Sequence, residues 1–166
     1  MSQWHGVSFW LFPGLLAEAD VEVLSNAAGS LGYGAFLKYC WFAGPWVPSQ
    51  RQQSIAYKEL FPVVIAAHVW GHQWCRKHVL FHSDNDAVVH ILNSRTSKVP
   101  CLMRLLHSLL FAAACHCFSH TSQRLPIRSL MLSLIFVGRN SGGCPQAQLD
   151  PTPIPPDLLT HLTSPF

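Results

Sequence analysis

The chain has 166 residues, enough for one domain with a real core and too few for two comfortable ones. Only 11% are charged and 49% are apolar, where about a quarter charged is usual, so the composition points to a chain of low solubility alone or to a part of something larger. The net charge of +3, without any run of Lys or Arg, excludes a basic nucleic-acid arm but permits binding through a folded surface.

Residues 1–19 are aromatic-rich and broken by Pro13 and Gly14, which reads as an irregular lead-in; without a basic start it is a poor secretion signal. "DVEVLSNAA" (20–28) alternates and is rich in Val, as a strand does. "GSLG" supplies a turn, "YGAFLKYC" (33–40) a second strand and "WFAGPW" (41–46) a third, giving an antiparallel meander. "VPSQRQQ" is polar loop. Ser54 then suits the N-cap of a helix from Ile55 to about Trp74, kinked but not ended by Pro62.

"HVLFHSDN" (78–85) reads as a buried strand with a polar end, and "NDAVVHILNS" as a short helix. Pro100 initiates another helix, whose apolar run carries Arg104, His107 and His116, costly in a bilayer, so it belongs to a core and not a membrane. "CFSHTSQRLP" (117–126) is a fifth strand. The six cysteines lack a paired spacing and read as reduced thiols in an intracellular chain, cytoplasmic or nuclear.

The order βββαβααβ predicts an α/β fold, an α+β mixed sheet, in one domain over 20–126. Residues 127–143 show no clean period, and 144–166, with six prolines, read as an extended or disordered connector.

Three polar residues stand out. Glu59 interrupts the apolar face of the first long helix, Asp84 ends a buried strand, and Asn26 sits on the first strand. Each has an ordinary explanation: Glu59 as a solvated partner of Lys58, Asp84 as a helix N-cap, Asn26 as a hydrogen-bonding strand residue. His82 and His120 read as structural, and Trp41, Trp46, Trp70 and Trp74 as core residues that could otherwise stack on nucleic acid.

Together, these positions follow the order of acids in ribonuclease H-like domains. The phrases "LSNAAGSLGYGAF", "WFAGPW", "SIAYKELFPVVIAAHVWGHQW", "VLFHSDNDAVVHILNSRTSK" and "LMRLLHSLLFAAACHCF" resemble the RNase H region of DIRS-type retrotransposon polyproteins, which follows a reverse transcriptase. The resemblance covers about residues 20–125. It implies three antiparallel strands followed by helices and further strands, a hydrolase acting on RNA:DNA hybrids, and carboxylates that hold two Mg²⁺ or Mn²⁺ ions. Two hard cations about 4 Å apart would activate a water and stabilise the leaving oxygen of a phosphodiester.

Glu59 matches the helix acid and Asp84 the strand-end acid, while Asn26 stands where the family has Asp. The family's fourth acid, in an ADALSR-like phrase after the fifth strand, has no counterpart, since no acid occurs between residues 87 and 149. Asp150, in the tail, is not expected to replace it. Read two bases on, codons for "LMLSL" can give "DALSD", so residues 124–143 are expected to be a frameshifted form of the family's last helix.

Grip on a hybrid would fall to Arg51, Lys58, Arg76, Lys77, Arg95 and Lys98, with Asn85 beside the site; each could equally be an ordinary surface group. The expectation is a catalytically impaired RNase H-like domain. A residually active nuclease, a non-catalytic binding remnant and a pseudogene product without a stable fold are the alternatives.

Overall fold

The computed structural model describes residues 19–38, 40–125 and 150–163. The lead-in up to residue 18 and the expectation of a frameshifted last helix over 124–143 lie outside them, apart from Arg124, the last residue of β5, and Leu125. A mixed sheet runs in the order β5-β4-β1-β2-β3-β6. Its strands are β1 (Val21–Ala28), β2 (Gly32–Leu37), β3 (Cys40–Pro45), β4 (His78–Ser83), β5 (Ser119–Arg124) and β6 (Asp150–Pro151). The first three pair antiparallel, and β4 joins β1, and β5 joins β4, in parallel.

Alternation in β1 sends Val21, Val23, Ser25 and Ala27 into the core and leaves Leu24 and Asn26 half-buried, as a period of two requires. Val79, Phe81 and Ser83 are buried in step on β4. Against the sheet lie α2 (Ile55–Trp70) and α3 (Asp86–Ser94), and α4 (Pro100–His116) packs on α2. The Ser54 hydroxyl accepts from the Tyr57 N–H and starts α2, which continues through Pro62.

α2 stops at Trp70, short of the expected Trp74, and Gly71–Gln73 form a single 3₁₀ turn. At the junction a Cβ on Gly71 would lie 2.7 Å from the His116 ring at the end of α4, so the close packing of the two helix ends there requires glycine. Trp46, Trp70 and Trp74 are buried, as core residues should be, whereas Trp41 remains 38% exposed on β3. His120 is buried between Phe81 and Phe118, and His82 is buried with Nε2 3.2 Å from Glu22 Oε2.

Two expectations require correction. "VPSQRQQ" is not all loop, because Pro48–Arg51 form a one-turn helix, α1, with Pro48 at its first position and the Gln50 side chain accepting from the Val47 N–H. Nor is the Pro-rich tail an extended or disordered connector over its described residues. Asp150 and Pro151 pair in parallel with Cys40 and Trp41, and Pro156–Thr163 form α5. Proline at the first turn favours that helix, and Leu158, Leu159 and Leu162 give it one apolar face. The Trp70 indole N–H donates to the Thr152 hydroxyl at 3.1 Å, fastening this strap to α2.

Candidate functional site

The parallel strands β1 and β4 end side by side, and the first turn of α2 comes down on the same end of the sheet. There an open cleft of about 410 Å³ is lined by Asn26, Ala27, Ala28, Gly29, Ile55, Glu59 and Asp84. Crevices at the carboxyl ends of parallel strands are where open α/β sheets commonly bind ligands. The three polar residues singled out in the sequence, 58 positions apart at the extremes, thus line one space.

The ordinary explanation of Glu59 fails on two counts. Glu59 is only 3% exposed, and Lys58 is directed elsewhere: its ammonium donates to the Gly29 carbonyl at 2.6 Å and the Arg51 carbonyl at 2.8 Å. Glu59 Oε2 has no hydrogen-bond partner among the described residues. Burial pushes its pKa up to about 7, the charge of Asp84 pushes the same way, and the Ala27 backbone N–H opposes both. An unpaired carboxylate in such a place is costly, so without a counter-charge the group holds its proton to near-neutral pH.

Asp84 is not the helix cap either. Asn85 takes that role, its side-chain oxygen accepting from the Ala87 and Val88 N–H groups at 2.9 and 3.3 Å. The Asp84 carboxylate is therefore left to the cleft, half-buried beside Glu59. Asn26 keeps part of its ordinary explanation, because its Oδ1 accepts from the Ala27 N–H at 2.7 Å. Its amide nevertheless lines the cleft and brings it no charge.

The cleft wall is held from below. The Trp46 indole N–H donates to the Ala28 carbonyl at 2.7 Å, Lys58 holds Gly29, and the buried Ser25 hydroxyl donates to the His82 carbonyl across β1 and β4. These anchors fix the end of β1 against α2 and β4.

Of the residues expected to grip nucleic acid, Lys58 is the clear correction. It is buried, and its ammonium is bonded to two backbone carbonyls of the fold, so it does not face a phosphate. Exposed Arg51 is near the cleft rim, since Lys58 joins its carbonyl to that of Gly29. Asn85 is at the edge, with its oxygen committed to the cap. Arg95 lies at the other end of α3, about 14 Å along a nine-residue helix, half-buried and close enough to His120 to lower its pKa. Exposed Lys98 follows in the next loop, and neither lines the cleft. Arg76 and Lys77 are exposed before β4, at the end opposite Asp84.

Asp150 is on β6, three strands from β1, or roughly 14 Å at the usual strand spacing, and does not replace a missing acid in the cleft. Sequence reasoning missed Ile55, 54% exposed in the cleft, although its position four residues before Glu59 puts both on one helix face. No group of three or more His, Cys, Asp or Glu side chains that could hold a metal occurs among the described residues. No helix among them is long and apolar enough to cross a membrane. Neither the protein-family models nor the curated proteins compared with the chain gave a match.

Proposed function

We propose that the chain is an RNase H-like nucleic-acid-binding domain of the DIRS-type retrotransposon kind, with its hydrolytic site impaired. The observation that carries this reading is the convergence of Asn26, Glu59 and Asp84 on one cleft at the ends of β1 and β4. Position and order both agree with the phrases that resemble that family. An RNA:DNA hybrid is the natural ligand on this reading, and a reverse transcriptase domain earlier in the same polyprotein the natural partner.

The family's pair of divalent ions supplies the activated water and the stabilised leaving group when bound. The cleft does not fit that pair. Two adjacent ions bring four positive charges, against two carboxylates and one amide whose oxygen already accepts from Ala27. Hydrolysis is accordingly weak or lost while the frame that meets a hybrid remains.

Purified chain incubated with an RNA:DNA hybrid in Mg²⁺ or Mn²⁺ tests this. Binding without measurable cleavage is the expected result, with cleavage partly recovered in Asn26→Asp. Efficient cleavage by the unaltered chain, abolished by Glu59→Gln, would show a functional nuclease; absence of hybrid binding would remove the nucleic-acid reading.

A further inference from the structure

We infer that Cys75 and Cys117 form a redox site, two free thiols that a peroxide converts to a disulfide between the turn before β4 and the end of α4. The inference stands apart from the function proposed above, because the pair lies at the end of the sheet opposite the cleft.

The two cysteines are far apart in the sequence and adjacent in the fold. Residues 74–77 make a tight turn, closed by the Lys77 N–H donating to the Trp74 carbonyl at 2.9 Å, with Cys75 at its first corner and Arg76 in the left-handed region at φ 61°. Cys117 ends α4 in the same region, at φ 56°, and the Phe118 N–H reaches back to the Ala113 carbonyl at 3.1 Å. The two turns are bonded to each other. The Arg76 N–H donates to the Cys117 carbonyl at 2.8 Å, and the Ser119 N–H donates to the Lys77 carbonyl at 3.1 Å.

A planar peptide puts the Cys75 Cα on the same side as the Arg76 hydrogen, and the Cys117 Cα is one carbonyl away from the acceptor oxygen. That bond therefore holds the two Cα atoms about 6 Å apart, within the roughly 4.4–6.8 Å that a disulfide spans. The side chains share the outer surface. Their neighbours Trp74 and Phe118 turn inward, buried with ring centroids 5.2 Å apart, whereas both cysteines are free and exposed. The Cys117 thiol donates to the Ala114 carbonyl at 3.7 Å, a weak contact that a χ1 rotation exchanges for the Cys75 sulfur.

Hydrogen peroxide supplies the oxidation. The thiolate of one cysteine attacks a peroxide oxygen, the O–O bond breaks, and a sulfenic acid and one water result. The second thiol attacks that sulfur, the S–S bond forms, and the sulfenic hydroxyl leaves as a second water. Two thiols lose two electrons and two protons, and one peroxide becomes two waters. The new bond closes a loop of about 40 residues and so restricts the unfolded chain far more than the native one.

Treatment of the fully reduced chain with one equivalent of hydrogen peroxide tests this, followed by thiol titration in denaturant and peptide mapping without reductant. Of the six thiols, two should disappear, at a rate independent of protein concentration, with Cys75 and Cys117 in one cross-linked peptide pair. The melting temperature should rise by about 5 °C or more and return on reduction with dithiothreitol. Cys115→Ser, which removes the exposed cysteine two residues earlier on α4, should keep the bond, and Cys75→Ser or Cys117→Ser should abolish it. Circular dichroism melts of the reduced variants establish that each is folded. Six thiols surviving the peroxide, a cross-link that persists in Cys75→Ser, or one made through Cys115 or Cys144 would overturn the inference, as would cross-linking only between separate chains.

Discussion

Lys58 and Gly29 are joined by a 2.6 Å hydrogen bond from a buried ammonium to a backbone carbonyl, and the same ammonium holds Arg51. One side chain thereby fixes the turn after β1 to the end of α1, just before α2. Lys58→Met keeps the aliphatic stem and removes both bonds, leaving two carbonyls to find water. Hydrogen bonds to a charged donor contribute about 1.5–3 kcal/mol each, and water recovers part of that for the exposed segments. The expected loss is about 2 kcal/mol, read as a lower urea midpoint with an unchanged slope.

Stability against pH should reflect two buried groups acting in opposite directions. Glu59 has its pKa raised from 4.5 to about 7, chiefly by burial, so the folded state holds a proton that the unfolded state releases, and stability falls as pH rises through that interval. His120 has its pKa lowered from 6.5 to about 4, chiefly by burial and secondarily by Arg95 and His78, so its contribution is complete above 6.5 and is lost as pH falls toward 4. Each is worth on the order of 2–3 kcal/mol. The two oppose one another between about pH 4.5 and 6.5, and the curve there should be shallow. In Glu59→Gln the falling limb disappears, and stability should climb steadily from pH 4 to 6.5; in His120→Leu the fall from pH 4.5 to 7 should stand alone. Denaturant melts across pH 4–8 check both slopes, and a Glu59→Gln curve that still falls above pH 5 contradicts the assignment.

Much of the core sheet was legible because alternation and turn residues specify it locally: β1 and β3 fall within one residue of where "DVEVLSNAA" and "WFAGPW" place them, while β2 starts one residue early and ends at Leu37, three short of the expected Cys40. The site residues were legible only as a set. Spacing alone could not tell whether Glu59 paired with Lys58 or faced a cleft, since adjacent helix residues diverge by about 100° and the outcome depends on what each side meets. The cap illustrates another limit, because Asp84 and Asn85 are both good N-cap types and one residue of register decides which is spent. The tail misled because proline content signals an extended chain. What decides its structure is tertiary: the open edge of β3, the Trp70 indole and the apolar face of α5.

That strap can be tested directly. Leu162 is 5% exposed, the most buried residue of α5, and Leu162→Ala should cost about 2–3 kcal/mol if the helix docks as described. Thr152→Val removes the acceptor of the Trp70 indole N–H with little change of shape, at about 1 kcal/mol. Both variants should show faster amide exchange at Thr152, whose N–H donates to the Trp41 carbonyl at 2.7 Å. Unchanged exchange and unchanged stability in both would mean that the tail does not protect the edge of β3.

Asp84 and Asn85 should part company under substitution, although they are neighbours of similar shape. Asn85→Ala removes the cap of α3 and should destabilise the protein by about 1 kcal/mol, with Asn85→Asp or Asn85→Ser retaining most of it. Asp84→Asn removes no cap and relieves the charge that raises the Glu59 pKa, so it should leave stability near pH 7 unchanged or slightly increased. Carbon-detected NMR of the Glu59 carboxyl should then show its midpoint moving down from about 7, while remaining above 4.5 because burial is the larger cause. A Glu59 midpoint that does not move in Asp84→Asn would separate the two carboxylates and with them the cleft as a joint site.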